Sequence, residues 1–385
     1  MNNKLPENYE SFAQARKNGF LQMKELKDQG KNVAGVFCTY TPLELFEAAG
    51  MVSVGLCSTS DETIPDAETV LPRNLCPLIK SSYGFAITNK CPYMHFSDIV
   101  VGETTCDGKK KMYEYLGEVK DVHVMQLPQE QDTDDAKSLW YNEIIRLKEI
   151  IEEKFNAEIT NEKLENAIKN RNKERRLLQS IYNTSISSPP PITGLEQLKI
   201  LYGTQFKFDF DKKINELEDV LERLTNINNE KSSDISRNAK RIVITGCPMG
   251  GVTEKVVEVI EQQGGVVVAY ENCTGAKKIE NMVEENSADP FKAVADAYLN
   301  IGCSVMTPDT KRYELLEYLA KKFNADAVIE MNLQACHTYA IESLQVKRLC
   351  EKLDLPFLSI ETDYSKSDVG QLSTRIGAFI EMLEQ

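Results

Sequence analysis

RIVITGCPMGGVTEKVVEVIEQQGGVVVAYENC, residues 241–273, contains two short apolar runs separated by a segment of helical character. RIVITG is typical of a strand, the segment after Cys247 is typical of a turn and a helix, and VVVAYEN is typical of a second strand. Strands that alternate with helices at this spacing indicate a parallel β-sheet covered by helices. The stretch therefore predicts an α/β fold.

The turn inside this stretch does not match a nucleotide-binding motif. GCPMGG lacks the Gly-Lys-Ser/Thr ending of a P-loop, and no GxGxxG sequence follows a predicted strand. If ATP takes part in the function, we expect it to bind a partner protein.

The same alternation divides the chain into five regions. Strand-like runs recur at VAGVF, MVSVGL, SDIVVG and VHVMQL in the N-terminal part, and at ADAVIEMNLQ and PFLSIETD near the C-terminus. The predicted regions are an N-terminal helix (1–30), a first α/β domain (31–133), a helical segment (134–229), a polar linker (230–239) and a second α/β domain (240–385). We expect two Rossmann- or flavodoxin-like domains with parallel sheets, whose ligand lies in the interdomain cleft at the carboxyl ends of the strands.

Composition restricts the partners. The chain has 385 residues with 45 basic and 59 acidic side chains, a formal net charge of −14, so we expect no nucleic-acid partner. No run approaches the roughly 20 apolar residues of a membrane span, and the N-terminus has no secretory apolar region. We expect a cytoplasmic protein that does not bind membranes.

The chain has ten cysteines, and in a reducing compartment we do not expect them to form disulfides. Five of them follow a predicted strand, four of these just before a predicted helix, and they are Cys38, Cys106, Cys247, Cys273 and Cys336. Helix N-termini favour the thiolate, which is the form that binds metals. Any one of these residues is also compatible with a small buried side chain, whereas five at equivalent positions favour a shared site. No CxxC pair occurs, which argues against a zinc ribbon and against ferredoxin spacing, and soft sulfur ligands suit iron–sulfur clusters or zinc.

Five motifs resemble the family of 2-hydroxyacyl-CoA dehydratase subunits and benzoyl-CoA reductases. They are NLCPLIKSSYG (74–84), VVGETTCDGKKKMYEYL (100–116), ENCTGAKK (271–278), LQACHTYAIES (333–343) and ETDYS (361–365). The resemblance extends from about Val33 to the C-terminus. In the dehydratase branch it implies one 4Fe–4S cluster between two domains, and the matching ligands here are Cys76, Cys106 and Cys336.

The surplus of cysteines departs from that branch. Cys91 and Cys247 stand where dehydratases usually have other residues, and further thiols are available. This surplus resembles the double-cubane branch of the family, in which two 4Fe–4S units share a bridging sulfide in an 8Fe–9S centre. Six thiolates, three for each cubane, are then expected from a pool of eight: Cys38, Cys76, Cys91, Cys106, Cys247, Cys273, Cys303 and Cys336. Cys57 and Cys350 are interpreted as structural.

The resemblance also implies partners and further site residues. The expected partner is a homodimeric ATPase with its own 4Fe–4S cluster, which drives an electron to low potential; we also expect a small-molecule substrate and a homodimer of this chain. The non-cysteine candidates adjoin the ligand loops. His337, Glu103 and Lys80 are candidate catalytic residues, and Ser81 and Tyr339 are candidate cofactor-binding residues. Glu103 is compatible with a proton relay or with a surface carboxylate.

Three functions are therefore weighed. The first is an iron–sulfur oxidoreductase that reduces a small molecule on a double-cubane cluster charged by the ATPase. The second is a lyase, a 2-hydroxyacyl-CoA dehydratase subunit with a single 4Fe–4S cluster. The third is a non-catalytic electron carrier. The physiological substrate is not encoded in any motif that we recognise.

Overall fold

The protein is described from a computed structural model that covers residues 11–247 and 250–384. The first ten residues of the predicted N-terminal helix lie outside the described residues, as do Pro248 and Met249 of the GCPMGG turn.

The first α/β unit contains a four-stranded sheet in which all strands are parallel. Its strands are β1 (Val33–Val36), β2 (Val52–Gly55), β3 (Ile99–Glu103) and β4 (Val122–Met125). Its helices are α1 (Phe12–Asp28), α2 (Leu43–Ala48), α3 (Ile64–Ala67), α4 (Pro77–Ile87), α5 (Pro92–Phe96) and α6 (Asp107–Leu116). The strand order is β2-β1-β3-β4.

A helical segment follows, as the Glu-, Lys- and Leu-rich sequence predicts. It contains α7 (Asp134–Phe155), α8 (Asn161–Asn183), α9 (Gly194–Gly203) and α10 (Phe210–Glu230). Helix α9 was not predicted from the sequence, although Thr193 and Glu196 form a capping box at its start. Residues 231–239, within the predicted linker, contain neither helix nor strand. None of the helices in the described ranges is long and apolar enough to cross a membrane.

The second α/β unit repeats the plan of the first. Its four parallel strands are β5 (Lys240–Gly246), β6 (Gly265–Tyr270), β7 (Ala327–Leu333) and β8 (Phe357–Thr362), in the order β6-β5-β7-β8. Its helices are α11 (Gly250–Gln262), α12 (Ala276–Ile279), α13 (Pro290–Leu299), α14 (Thr310–Lys322), α15 (His337–Lys352) and α16 (Val369–Met382).

Each sheet changes winding direction at its centre. β2 lies on one side of β1 and β3 on the other, and β6 and β7 flank β5 in the same way. Strands β3, β6 and β7 are buried along their whole length, as expected for parallel strands covered on both faces. Ligands of such sheets bind beyond the carboxyl ends of the strands where the direction changes. The fold therefore has two switch points, β1/β3 and β5/β7.

Hydrogen bonds join the loops of the two α/β units. The Tyr40 hydroxyl donates to the Ile301 carbonyl at 2.7 Å, and the Tyr364 hydroxyl donates to the Ser58 carbonyl at 2.9 Å. Tyr40 and Ser58 follow β1 and β2, while Tyr364 follows β8. The loops after the strands of one sheet therefore contact loops of the other unit.

Candidate functional site

Four cysteines occupy the two switch points. Cys38 follows β1, and Cys106 is the residue before α6, directly after β3. Cys247 follows β5, and Cys336 is the residue before α15, directly after β7. The predicted positions of these residues at strand-to-helix corners are thus observed.

A first thiol group consists of Cys76, Cys247 and Cys336. The Cys336 sulfur accepts hydrogen bonds from the thiols of Cys247 and Cys76, and these two bonds lower the pKa of Cys336 to about 3. The bond to Cys336 and burial raise the pKa of Cys76, and burial with the same kind of bond raises the pKa of Cys247. The arrangement holds Cys336 as a thiolate, the form that ligates iron.

Backbone geometry fixes one member of this group, Cys247. Gly246 has φ +114°, and a Cβ there would lie 2.0 Å from the Met331 carbonyl oxygen, so only glycine fits this turn. The turn lets the Cys247 sulfur accept a hydrogen bond from the Leu333 amide at 3.3 Å. Amide donors of this kind shift the reduction potential of metal-bound sulfur.

Cys106 lies on the loop beside the first thiol group. Helices α4 and α6 begin next to each other. The short distance between them is seen at Gly108, where an added Cβ would lie 2.9 Å from side-chain atoms of Leu75 and Ile79. Cys76 precedes α4 and Cys106 precedes α6. The family resemblance expects Cys106 as a ligand together with Cys76 and Cys336, and that role stays a prediction.

A second thiol group consists of Cys38, Cys273 and Cys303. Burial raises the pKa of Cys38, and the charges of Glu103, Cys273 and Cys303 contribute to this shift. Burial also raises the pKa of Cys273, which interacts with Cys303 and receives a hydrogen bond from Thr39. The group combines loops of both α/β units.

Cys57 lies beside this second group. It follows β2, and its thiol donates to the Phe37 carbonyl at 2.8 Å. Burial raises the pKa of Cys57, and Cys273 and Glu103 act on it electrostatically. Cys57 follows a predicted strand, as several of the candidate ligands do. The interpretation of Cys57 as a structural residue did not take this position into account.

Two other cysteines lie apart. Cys91 precedes α5, and its sulfur accepts from the Met94 amide at 3.4 Å; its charged neighbour is Lys120. Cys350 is buried within α15 beside Glu330 and Glu351. The polar contacts of both residues, across the described ranges, involve no other cysteine.

Buried cations lie beside the second thiol group. Lys109 donates to the Phe37 carbonyl at 3.0 Å, and it interacts with Cys38 and Cys57. Lys277 forms an ion pair with Glu271 at 2.9 Å, and both side chains are fully buried. These ammonium groups would offset negative charge on the neighbouring sulfurs if these lost their protons to bind a metal.

Tyr339 connects the cations to the thiols. Its hydroxyl accepts from Lys277 at 3.0 Å and contacts the Cys303 sulfur at 3.7 Å. His337, by contrast, is exposed at the start of α15. Of these two candidates, the structure brings Tyr339 to the thiols.

Glu103 is fully buried, so the surface-carboxylate interpretation is wrong. The Thr41 hydroxyl donates to its Oε1, while its Oε2 has no hydrogen-bond partner in the described structure. Burial raises the pKa of Glu103 to about 7. The residue can therefore hold a proton near neutral pH.

Lys80 and Ser81 are engaged in local structure. Lys80 forms an ion pair with Glu68 at 2.7 Å and donates to the Arg73 carbonyl at 2.8 Å. The Ser81 hydroxyl contacts the Ser58 hydroxyl at 2.6 Å and donates to the Ser60 carbonyl. These contacts stabilise the loop over residues 58–63 against α4.

A cavity of about 240 Å³ lies against the second thiol group. Its lining includes Cys38, Cys57, Cys273, Thr41 and Lys109. The cavity continues to residues of α8 and α12. It provides space for a small molecule next to the thiols.

The donor set fits an iron–sulfur centre. The two thiol groups supply six sulfurs, with Cys106 and Cys57 adjacent to them, and thiolates are the usual ligands of such clusters. No set of three histidine, cysteine, aspartate or glutamate side chains in the described parts of the chain is arranged to hold a single metal ion.

Comparisons with known proteins identify the family of the chain. The family profile described as 2-hydroxyglutaryl-CoA dehydratase, D-component, matches residues 38–383. The chain is 52% identical over 380 residues, 98% of each protein, to the provisionally named dehydratase subunit YjiM of Escherichia coli (strain K12). It is 23% identical over 367 residues, 94% of each protein, to the (R)-phenyllactyl-CoA dehydratase beta subunit of Clostridium sporogenes. It is 20% identical over 371 residues, 94% of this chain and 93% of the relative, to a benzoyl-CoA reductase subunit of Thauera aromatica.

Proposed function

The chain belongs to the 2-hydroxyglutaryl-CoA dehydratase D-component family, and we propose that within this family it is an iron–sulfur oxidoreductase. In this proposal it carries a double-cubane 8Fe–9S cluster and reduces a small molecule at low potential. A homodimeric ATPase with its own 4Fe–4S cluster supplies the electron.

The observation that carries the proposal is the division of the thiols into two groups. A single 4Fe–4S cluster needs at most four protein thiolates, and the family's dehydratases are expected to use three. Here Cys76, Cys247 and Cys336 form one group and Cys38, Cys273 and Cys303 form another. Three thiolates from each group, with Cys106 and Cys57 as the adjacent alternatives, would hold two cubanes.

The bound cluster would supply single electrons at low potential. The protein's contribution begins with charge, because Lys109 and Lys277 offset the negative charge that accumulates on buried thiolates. The Leu333 amide and the Tyr339 hydroxyl contact the Cys247 and Cys303 sulfurs. Such contacts tune reduction potentials.

Reduction of a substrate also requires protons. Glu103 can hold one on its unpartnered Oε2, since burial raises its pKa to about 7. Thr41 bonds to the other oxygen of Glu103 and lines the cavity. Glu103 and Thr41 therefore form a short proton path to the cavity.

The alternative is a 2-hydroxyacyl-CoA dehydratase subunit with a single 4Fe–4S cluster. The name of the Clostridium sporogenes relative favours it. In that case the first thiol group, with Cys106, would be sufficient and the second group would have no metal. Such a subunit would need a second, different subunit for activity.

Iron and sulfide content distinguishes the two. The full chain is purified without oxygen, and about eight irons and nine sulfides per chain support the double cubane, whereas about four of each support the dehydratase. Addition of the ATPase partner and ATP should then reduce the centre, and electron paramagnetic resonance measures this reduction. Four irons per chain, with acyl-CoA dehydration in the presence of the ATPase, would refute the proposal.

A further inference from the structure

The cavity beside the second thiol group carries an amine with no counter-ion. Lys278 follows Lys277 in the motif ENCTGAKK, and both side chains line the cavity. Lys277 is paired with Glu271. Lys278 has neither an ion pair nor a side-chain hydrogen bond in the described structure, and its side chain is partly exposed, as expected for a group that faces a cavity.

The other three cations at this end of the lining, on α8 and α10, are each paired with a carboxylate. Arg171 pairs with Glu47 at 2.6 Å and Arg175 with Glu44 at 2.7 Å. Lys213 pairs with Glu174 at 2.6 Å. Three carboxylates therefore face three cations, and the amine of Lys278 is the fourth cation. This end of the cavity has a surplus of one positive charge.

A largely buried cation without a partner is costly, so such a group normally has one. Burial lowers the pKa of Lys278 to about 8, which reflects this cost. The charges of Arg171, Lys213 and Arg175 lower the pKa further, and the charge of Glu174 raises it. An anion in the cavity would remove the imbalance. One negative charge would balance the surplus at this end of the cavity.

The size of the cavity restricts the anion. Its volume of about 240 Å³ is below the ~300–1,000 Å³ of sites for drug-sized ligands. Apolar side chains such as Leu178 and Ile279 share the lining with the amine. The space suits a compact anion with a few non-hydrogen atoms.

We propose that the cavity binds a small singly charged anion, such as a short monocarboxylate, with Lys278 as its counter-ion. The cavity also adjoins Cys38, Cys57 and Cys273. This inference rests on the proposed function, in which small anions of this kind are the substrate class of the reductase. Such an anion is distinct from the acyl-CoA esters named for the relatives.

Calorimetric titration of the anaerobically purified full chain tests the anion site. Acetate and acetamide serve as probes, because they share a shape and differ in charge. We expect one acetate per chain and acetamide at least about tenfold weaker, as for loss of a charge-assisted bond. Equal binding of the two, or no binding of either, overturns the proposal.

Variants locate the site. Lys278→Met should weaken acetate at least about tenfold, and Lys278→Arg should retain it within about threefold. Lys173→Met is the control, since Lys173 lies on α8 like Arg171 and Arg175 but its side chain is half exposed and pairs with Glu218. Unchanged acetate affinity in Lys278→Met refutes the assignment, and circular dichroism confirms that each variant is folded.

Two further measurements separate this inference from the proposed function. Acetyl-CoA should not displace acetate, and displacement overturns the size argument. Iron is measured on the same samples. Eight irons without acetate binding refute only the anion site, whereas acetate binding with about four irons refutes only the double cubane.

Discussion

The guanidinium of Arg312 lies over the ring of Tyr339, 4.7 Å from its centroid. Arg312 is fully buried and contacts the carboxylates of Glu271, Glu330 and Glu342. Glu271 in turn pairs with Lys277, which donates to the Tyr339 hydroxyl. One arginine thus positions the tyrosine that contacts Cys303 and balances three acidic side chains beneath the thiols.

Replacement of Arg312 should destabilise the fold strongly. In Arg312→Met the buried carboxylate of Glu330 loses its cation and Glu271 keeps only Lys277, and removal of one partner of a buried ion network costs about 3–5 kcal/mol. Denaturant unfolding measures the change. The control is Arg73→Met, because the Arg73 side chain is 90% exposed, and it should change the free energy of unfolding by under about 0.5 kcal/mol. A loss below about 1 kcal/mol for Arg312→Met would contradict the role of the network.

The cysteines should differ in their effect on iron content. Cys336→Ser removes the thiolate at the centre of the first thiol group, so we expect roughly half of the iron to be lost. Cys91→Ser should retain all of it, because the Cys91 sulfur contacts the Met94 amide at the start of α5. Iron is quantified after anaerobic purification. Iron loss in Cys91→Ser equal to that in Cys336→Ser would show that the two thiol groups do not define the ligands.

Gly246→Ala should distort the turn that holds Cys247. The added Cβ would meet the Met331 carbonyl oxygen at 2.0 Å, and the residue has φ +114°, so backbone must move. We expect a loss of more than about 2 kcal/mol in unfolding free energy. Gly264→Ala is the matched control: φ is +93° there, but nothing lies within 4 Å of the new atom. Similar losses in both variants would show that the positive φ, and not the contact with Met331, is decisive.

Glu261 should make stability depend on pH. It accepts from the Gly194 amide and, at 3.3 Å, from the Leu195 amide, yet burial raises its pKa from 4.5 to about 7. The folded state therefore binds more protons than the unfolded state between these values, and stability falls as pH rises from about 4.5 to 7. Glu261→Gln removes this contribution, about 1–3 kcal/mol.

The measurement is urea unfolding of wild type and Glu261→Gln at pH 5 and pH 8. The stability of the variant relative to wild type should increase between the two values. Glu258→Gln, an exposed position on the same helix, should follow wild type. A relative stability of Glu261→Gln that does not change with pH would rule out the raised pKa.

Much of the fold follows from local sequence. The apolar runs predicted all eight strands of the described chain. Fully buried parallel strands read as continuous apolar segments, and β2, β4 and β8, which are only partly buried, have apolar runs as well. The corners also placed Cys38, Cys106, Cys247 and Cys336 correctly after their strands. Helix α9 was missed since prolines precede it, although T-G-L-E (193–196) has the spacing of a capping box.

The grouping of the thiols was not available from sequence. Cys76 and Cys336 are 260 positions apart and meet only because loops of both α/β units converge. No local sequence pattern predicts the role of Arg312, because Arg312 lies on α14 and its partner Glu271 lies on the loop after β6. Lys278 lies in the motif ENCTGAKK, but the sequence does not show that it lacks a counter-ion. The structure shows this, because the carboxylates of α2 and α8 pair with Arg171, Arg175 and Lys213.

Acetate affinity should fall at alkaline pH if Lys278 is the counter-ion. Its amine faces Glu174, Arg171, Arg175 and Lys213, and burial lowers its pKa to about 8. Below that pH the ammonium is present and affinity is constant, while above it each pH unit removes about tenfold. Lys278→Arg replaces the amine by a guanidinium that does not titrate in this range, so its affinity should stay level from about pH 7 to 9.5. Calorimetric titrations across that range measure both curves. Parallel curves for wild type and Lys278→Arg would assign the pH dependence to another group, because the two proteins differ only in the charge that can be lost.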